Sequence, residues 1–253
     1  MFVLGIVGSP RRKGRTNSLI DAALEGAASN GARTQKIYLI DYEVKPLFDA
    51  EGRPSPKALS ELCEEADALV VGAPVYYGDI NGLTKDFMDS VRINNSNGKP
   101  ALGFAIAGGS GKGLISGVQS IYHWFYHRQV RAIDPTPVSR FNMQEAMASL
   151  GVSAGKLVDM AKDVRPFPGA RRDDRWADVL AYYATLPFFD KGPVDEFLML
   201  AEQLIRISTG DKAGQAQAEL DRALALVGEG KRSEAGRHAV AAYELLYFPP
   251  KTS

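Results

Sequence analysis

The first 140 residues switch repeatedly between the periods of strand and helix. An apolar run over 3–7 ends in Gly8-Ser9-Pro10. Four cations follow (Arg11, Arg12, Lys13, Arg15), and apolar positions of helical spacing begin at Leu19 and Ile20. This pattern predicts a buried strand, a polar loop and a helix over about 16–29, stopped by Asn30-Gly31. Residues 34–40 alternate toward a second strand. The stretch 41–56 carries three prolines and a glycine and reads as a rim loop, and 56–66 reads as a second helix. Residues 68–73 form a continuous apolar run, as in a parallel strand buried on both faces, and lead into Pro74-Val75-Tyr76-Tyr77-Gly78-Asp79 and a helix from about Asn81. A further strand is expected over 100–107, then a glycine-rich loop at 108–113, a helix through His127 and a last strand over 130–138.

Strands alternating with helices imply a parallel sheet covered on both faces, whose ligands sit beyond the carboxyl ends of the strands where their order reverses. Three loops follow three of these strands, at 8–18, 74–79 and 107–113, and are expected to converge at one edge. The rest of the chain is helical in pattern. A short helix is expected over 153–162, a basic connector over 164–175 and an aromatic-rich segment over 176–186. Phe197, Leu198, Ala201, Leu204 and Ile205 share one helical face, Leu220, Ala223, Leu224 and Val227 repeat it, and a final helix carries Val240, Tyr243 and Leu246. We therefore expect one α/β domain over 1–188 and a helical appendage over 189–253, packed on that domain or on a neighbouring subunit.

Composition narrows the partners. The formal charge is zero, which disfavours an electrostatic nucleic-acid binder. No apolar run is long enough to span a bilayer and Met1 leads straight into a strand, so neither a membrane segment nor a signal peptide is expected. The single cysteine, Cys63, sits in a helical pattern as a packing residue, and a reducing cytoplasm is the expected compartment.

The loop at 8–18 carries hydroxyls (Ser9, Thr16, Ser18) and cations ahead of a helix N-terminus, where unpaired N–H groups attract anions. The same residues also fit a solvated basic loop before an ordinary helix start. The spacing matches neither the Gly-x-Gly-x-x-Gly fingerprint nor a Gly-Lys-Ser/Thr loop. A hydroxyl-rich loop suits a doubly charged phosphomonoester, such as that of flavin mononucleotide (FMN), better than a pyrophosphate. Tyr76 and Tyr77 read either as a stacking surface for a flat ring or as half-buried core residues. Gly108-Gly109-Ser110-Gly111-Lys112-Gly113 fails as a Walker motif, because Ile106 stands where its first glycine belongs and Gly113 where its Ser or Thr belongs. Those glycines let backbone approach a planar ligand or form a flexible lid. His123 and His127 share a helix face without an evident third ligand, so no metal is expected.

Gly8-Ser9-Pro10-Arg11 with Gly14 and Thr16, followed by Ala73-Pro74-Val75-Tyr76-Tyr77-Gly78-Asp79-Ile80-Asn81-Gly82-Leu83-Thr84-Lys85-Asp86-Phe87-Met88-Asp89, resembles the NADPH-dependent FMN reductase and iron–sulfur flavoprotein superfamily over roughly residues 1–130. The resemblance implies a flavodoxin-like three-layer α/β sandwich, with a five-stranded parallel sheet of order 2-1-3-4-5 and FMN at the switch point. It puts Ser9, Arg11, Arg15, Thr16, Asn17 and Ser18 at the phosphate, and Pro74, Val75, Tyr76, Tyr77, Gly78, Gly108, Gly109 and Gly111 along the isoalloxazine. The activity implied is that of an oxidoreductase taking electrons from NADPH or NADH through FMN to a quinone or other small acceptor, with no side chain acting as acid or base. A non-catalytic flavodoxin-like electron carrier is the alternative. A homodimer or homotetramer is expected. The chain departs from the family at Arg15, where Asn is usual. It also lacks the cysteines of the iron–sulfur members, and one thiol cannot hold a cluster that needs four.

Overall fold

The structure is a computed structural model and describes residues 1–47 and 56–248. Its centre is a parallel sheet. Strand β1 (Phe2–Val7) lies between β2 (Arg33–Tyr38) and β3 (Ala68–Tyr76), and β3 pairs on its far side with β5 (Pro100–Ala107). The outer edge consists of two fragments, β6 (Arg131–Ala132) and β7 (Val138–Ser139), both parallel to β5. A short antiparallel piece, β4 (Asp79–Ile80), folds back on the end of β3. With β4 set aside and β6 and β7 taken as one broken strand, the order is the expected 2-1-3-4-5.

Helices cover both faces. Val3, Val7, Val70, Leu102 and Phe104 pack against α1 (Arg15–Ser29) and α5 (Met143–Lys162). Leu4, Ile6, Leu69, Val71 and Ala105, alternating with them, pack against α2 (Lys57–Glu65), α3 (Gly82–Ser90), α4 (Leu114–Arg128) and α6 (Trp176–Tyr183). Each central strand thus buries both faces, which explains the unbroken apolar runs. The last three helices, α7 (Pro193–Arg206), α8 (Asp211–Gly228) and α9 (Arg232–Leu246), build a small core of their own around Leu198, Ala201, Leu220 and Ala239. They also bury Leu200, Leu204 and Tyr243 with Ala107, Leu114, Ile115 and Phe141 of the sheet domain. No helix among the described residues is long and apolar enough to cross a membrane.

Three expectations need correction. The last strand, expected unbroken over 130–138, is split because Pro135 and Pro137 have no N–H to give to β5. Tyrosines meet the carbonyls of its first half instead: Tyr183 donates to Val130 O (3.0 Å), Tyr182 to Ala132 O (2.7 Å) and Tyr122 to Ile133 O (2.5 Å). Second, α5 begins at Met143, ten residues before the helix expected from 153. Gly151 obscured the pattern; in the structure it lies against Gly26 of α1, where a Cβ on Gly26 would stand 2.3 Å from the Gly151 carbonyl oxygen. Third, β2 stops at Tyr38 and turns through a 3₁₀ segment, Leu39–Asp41, rather than running to residue 40. The rim loop expected over 41–56 lies, from 48 to 55, outside the described residues.

Candidate functional site

The order of the sheet reverses between β1 and β3, and the loops leaving these strands are tied together there. Gly8 N–H donates to Gly72 O (2.8 Å), and Asn81 Nδ2 donates to Gly8 O (2.9 Å). The single hydroxyl proton of Thr84 is donated to Asn81 Oδ1, at 2.6 Å, with Gly8 O as a more distant acceptor at 3.3 Å. Above this junction opens a cleft of about 640 Å³, lined from three loops. Ser9, Arg11, Lys13, Gly14, Arg15 and Thr16 come from the first, Pro74, Val75, Tyr76 and Tyr77 from the second, and Ile106, Gly108 and Gly109 from the third.

The first wall gathers cations, hydroxyls and a helix start. Helix α1 starts at Gly14, an extended N-cap whose lack of a side chain leaves the first-turn N–H groups uncapped. Ser9 is 4% exposed and accepts from Arg11 N–H (3.1 Å), so its own hydroxyl proton remains to be donated. Thr16 is 2% exposed, lines the cleft and has no hydrogen-bond partner for its hydroxyl among the described residues. Arg11 and Lys13 make no ion pair among the described residues, whereas Arg12 turns away to Asp41 and lies over the Tyr38 ring. Arg15 reaches across the opening and donates from Nη1 to Gly108 O (3.3 Å).

The second wall is an aromatic turn. Tyr76 pairs with Asp79 across a two-residue hairpin whose central residues, Tyr77 and Gly78, have φ of 52° and 86°. Positive φ at both positions is the type I′ requirement, normally met by Asn-Gly. Tyr77 bears the steric cost of the left-handed region and holds its ring fully in solvent at the mouth of the cleft.

The third wall is held from behind by the C-terminal helices. Gly113 N–H donates to Glu196 Oε1 (2.9 Å) and Ile115 N–H to Glu196 Oε2 (3.1 Å), so a carboxylate of α7 closes the N-terminus of α4. Tyr243 donates to Ser110 O (2.8 Å), and Arg140 Nε donates to Gly109 O (2.8 Å).

Ten of the fourteen residues expected at the cofactor line this cleft, and four stand outside it. Asn17 is occupied by Lys36 (2.8 Å) and Tyr38 (2.7 Å), which both donate to its Oδ1. Ser18 is exposed on α1. Gly78 is needed for the hairpin and accepts from Ser116, while Gly111, at φ 87°, faces Leu200 of α7. Lys13, expected only as one of the cations of the first loop, also lines the cleft, and sequence reading missed Gly14 and Ile106 as lining residues. It had no means of finding Glu196 or Tyr243, which lie more than 80 residues from the loop they hold.

His123 packs edge-on against Phe189 (5.0 Å between ring centres), and burial, with His127 adding, lowers its pKa. Among the described residues no three His, Cys, Asp or Glu side chains could together hold a metal.

A parallel sheet of this order with an uncapped helix start at its reversal point is a flavodoxin-like α/β protein. Residues 1–140 match the family described as NADPH-dependent FMN reductase, and the chain belongs to that family of FMN- and NAD(P)H-using oxidoreductases. An iron–sulfur flavoprotein of Methanocaldococcus jannaschii is 31% identical over 159 residues, covering 56% of this chain and 80% of that protein. An NADPH azoreductase of Bacillus sp. strain OY1-2 is 27% identical over 175 residues, covering 66% of this chain and 92% of that protein. Among solved structures, an apo NADH:FMN oxidoreductase superposes with a TM-score of 0.50 at 21% identity, over 69% of this chain and 93% of that one, a likeness of fold.

Proposed function

We propose that the cleft binds FMN and that the protein passes electrons from NADPH or NADH to a quinone or another small acceptor. The observation that carries this reading is the meeting, in one cleft, of an uncapped helix start with unspent Ser9 and Thr16 hydroxyls and a solvent-held tyrosine hairpin. One end suits a phosphomonoester and the other a flat amphipathic ring, which are the two ends of FMN.

In this reading Ser9, Thr16, the first-turn amides of α1, Arg11, Lys13 and Arg15 hold the phosphate. Pro74, Val75, Tyr76 and Tyr77 face the ring from one side, and Gly108 and Gly109 bring backbone to its edge from the other. Gly78 and Gly111 support the second and third walls from outside, and Asn17 and Ser18 continue α1 behind the phosphate end. When bound, FMN supplies the redox chemistry, accepting two electrons from a nicotinamide and releasing them to the acceptor. The protein's task is to orient it and leave one face open. A lone, buried and unpaired cysteine, Cys63, suits a reducing compartment such as the cytoplasm. A homodimer or homotetramer remains part of the proposal, to be read from the mass in solution.

The test is a titration of the purified protein with FMN, followed by anaerobic NADPH or NADH and then a benzoquinone. Expected are binding that quenches flavin fluorescence, bleaching by at least one nicotinamide, and reoxidation by quinone over many turnovers. Failure to bind FMN overturns the proposal. Binding without bleaching by either nicotinamide makes the protein an electron carrier.

A further inference from the structure

The glycine-rich wall of the cleft is held from two directions: Arg15 and Arg140, within the residues that match the family, donate to Gly108 O (3.3 Å) and Gly109 O (2.8 Å), and the rest of the loop is held from beyond those residues. Residues 108–113 leave β5 and enter α4, and contacts from beyond residue 140 fix them from behind. Glu196 accepts from two backbone N–H groups at the start of α4, at 2.9 and 3.1 Å. Leu200 fills the space at Gly111, lying 2.4 Å from where a Cβ would stand. Tyr243 holds Ser110 O, and Lys112 Nζ lies 5.4 and 5.6 Å from the ring centres of Phe197 and Tyr243. The face of the same loop formed by Gly108 and Gly109 is left to the cleft.

A glycine-rich loop has little rotamer or Cβ restraint of its own, so its position must be imposed from outside. A carboxylate bonded to two N–H groups at a helix start supplies one such restraint at the far end of the loop, since charge-assisted hydrogen bonds are shorter and stronger than neutral ones. It also neutralises the partial positive charge of that helix start, leaving α1 as the helix start that faces the cleft uncapped. We infer that Glu196 is a positioning residue of the cofactor cleft: by closing the N-terminus of α4 it helps to set where Gly108 and Gly109 stand, so that one carboxylate of α7, and not the packing of the C-terminal helices as a whole, is part of the binding site. The inference rests on the FMN reading and adds to it a contribution from outside the family-matching residues.

The experiment compares E196Q, E196D and the wild type with L220A, which loosens the C-terminal helices at a buried position away from the loop. FMN affinity is measured by fluorescence quenching well below the unfolding temperature of every variant, and amide hydrogen exchange is followed in the ligand-free protein. In E196Q, FMN binding is expected to weaken about tenfold and the Gly113 and Ile115 amides to exchange faster. E196D, which keeps the charge one methylene shorter, recovers part of the affinity, and L220A lowers the unfolding midpoint while leaving FMN affinity unchanged. Unchanged affinity in E196Q, or an equal loss in L220A, overturns the inference. A wild type that binds no FMN overturns the cofactor reading itself, and is told apart because it is measured first.

Discussion

At Gly8 a single missing side chain decides whether the two loops of the switch point meet. A Cβ there would stand 2.0 Å from Thr84 Oγ1 and 2.9 Å from Gly72 O, inside the hydrogen bonds that join the loops. Thr84 is fully buried and bonded to Asn81, so it has little room to yield. Gly8→Ala is therefore expected to lower stability by about 2 kcal/mol, as overpacking does, read from the denaturant midpoint at unchanged slope. Tyr77 works in the opposite sense. Its left-handed backbone costs about 1–2 kcal/mol that glycine does not pay, and its ring is fully exposed. Tyr77→Gly should raise the unfolding midpoint of the ligand-free protein and at the same time weaken FMN binding several-fold. A variant that is stabilised yet binds FMN as before would remove the ring from the site.

Among the elements, the helix ends are where charge has been placed with most effect. Lys99 is buried at the end of α2 and donates from Nζ to the carbonyls of Cys63 (2.8 Å), Glu64 (3.1 Å) and Ala66 (2.6 Å). Those carbonyls have no onward helical partner, and a cation suits the negative end of the helix. Desolvation lowers the Lys99 pKa, yet the three bonds keep the ammonium in place. Lys99→Met leaves the three carbonyls without their donor and is expected to cost about 2–4 kcal/mol, measured by chemical denaturation. Glu196 does the reverse job at the start of α4, so the glycine-rich loop and helix that resemble a phosphate loop in sequence are closed by the chain's own anion.

Over the whole molecule, the buried phenols set the alkaline limit. Tyr122, Tyr182 and Tyr183 are raised from an ordinary value near 10, chiefly by desolvation, and the Cys63 thiol is raised from about 9 to about 12. The unfolded chain releases these protons at the ordinary values while the folded chain retains them, so above those values the folded state binds more protons. Stability is then fully present below pH 9 and falls as pH rises through 9–11. Lys99, with its lowered pKa, opposes this trend, while Tyr243, also raised chiefly by desolvation, adds to it, so one lysine stands against four phenols and a thiol. Thermal unfolding at pH 8, 9, 10 and 11 should show a steady decline, and a flat profile would contradict it. Tyr122→Phe, which leaves Ile133 O without its 2.5 Å donor, is expected to lower the midpoint at pH 8 and to make the decline shallower.

Periodicity alone determined the alternation of strands and helices, the parallel sheet buried on both faces and the three loops at its edge, because burial repeats every two or 3.6 residues whatever the partner is. Residue type put the hydroxyls of Ser9 and Thr16 and the tyrosine pair at strand ends, where they fitted a ligand site as well as a solvated loop or half-buried core, and the choice between these was not local. Periodicity did not show the break in the last strand, whose carbonyls are met by tyrosines about 50 residues away, or by Tyr122 some ten residues back. Nor did it show the early start of α5, where a glycine that reads as a helix breaker is a close contact between two helices. The type I′ hairpin at Tyr77, the departure of Asn17 and Gly111 from the cleft, and the closing of α4 by Glu196 were likewise settled only by tertiary structure. Hydrogen-bond partners and Cβ clearances depend on which distant segments pack together, and no local pattern of residues encodes that.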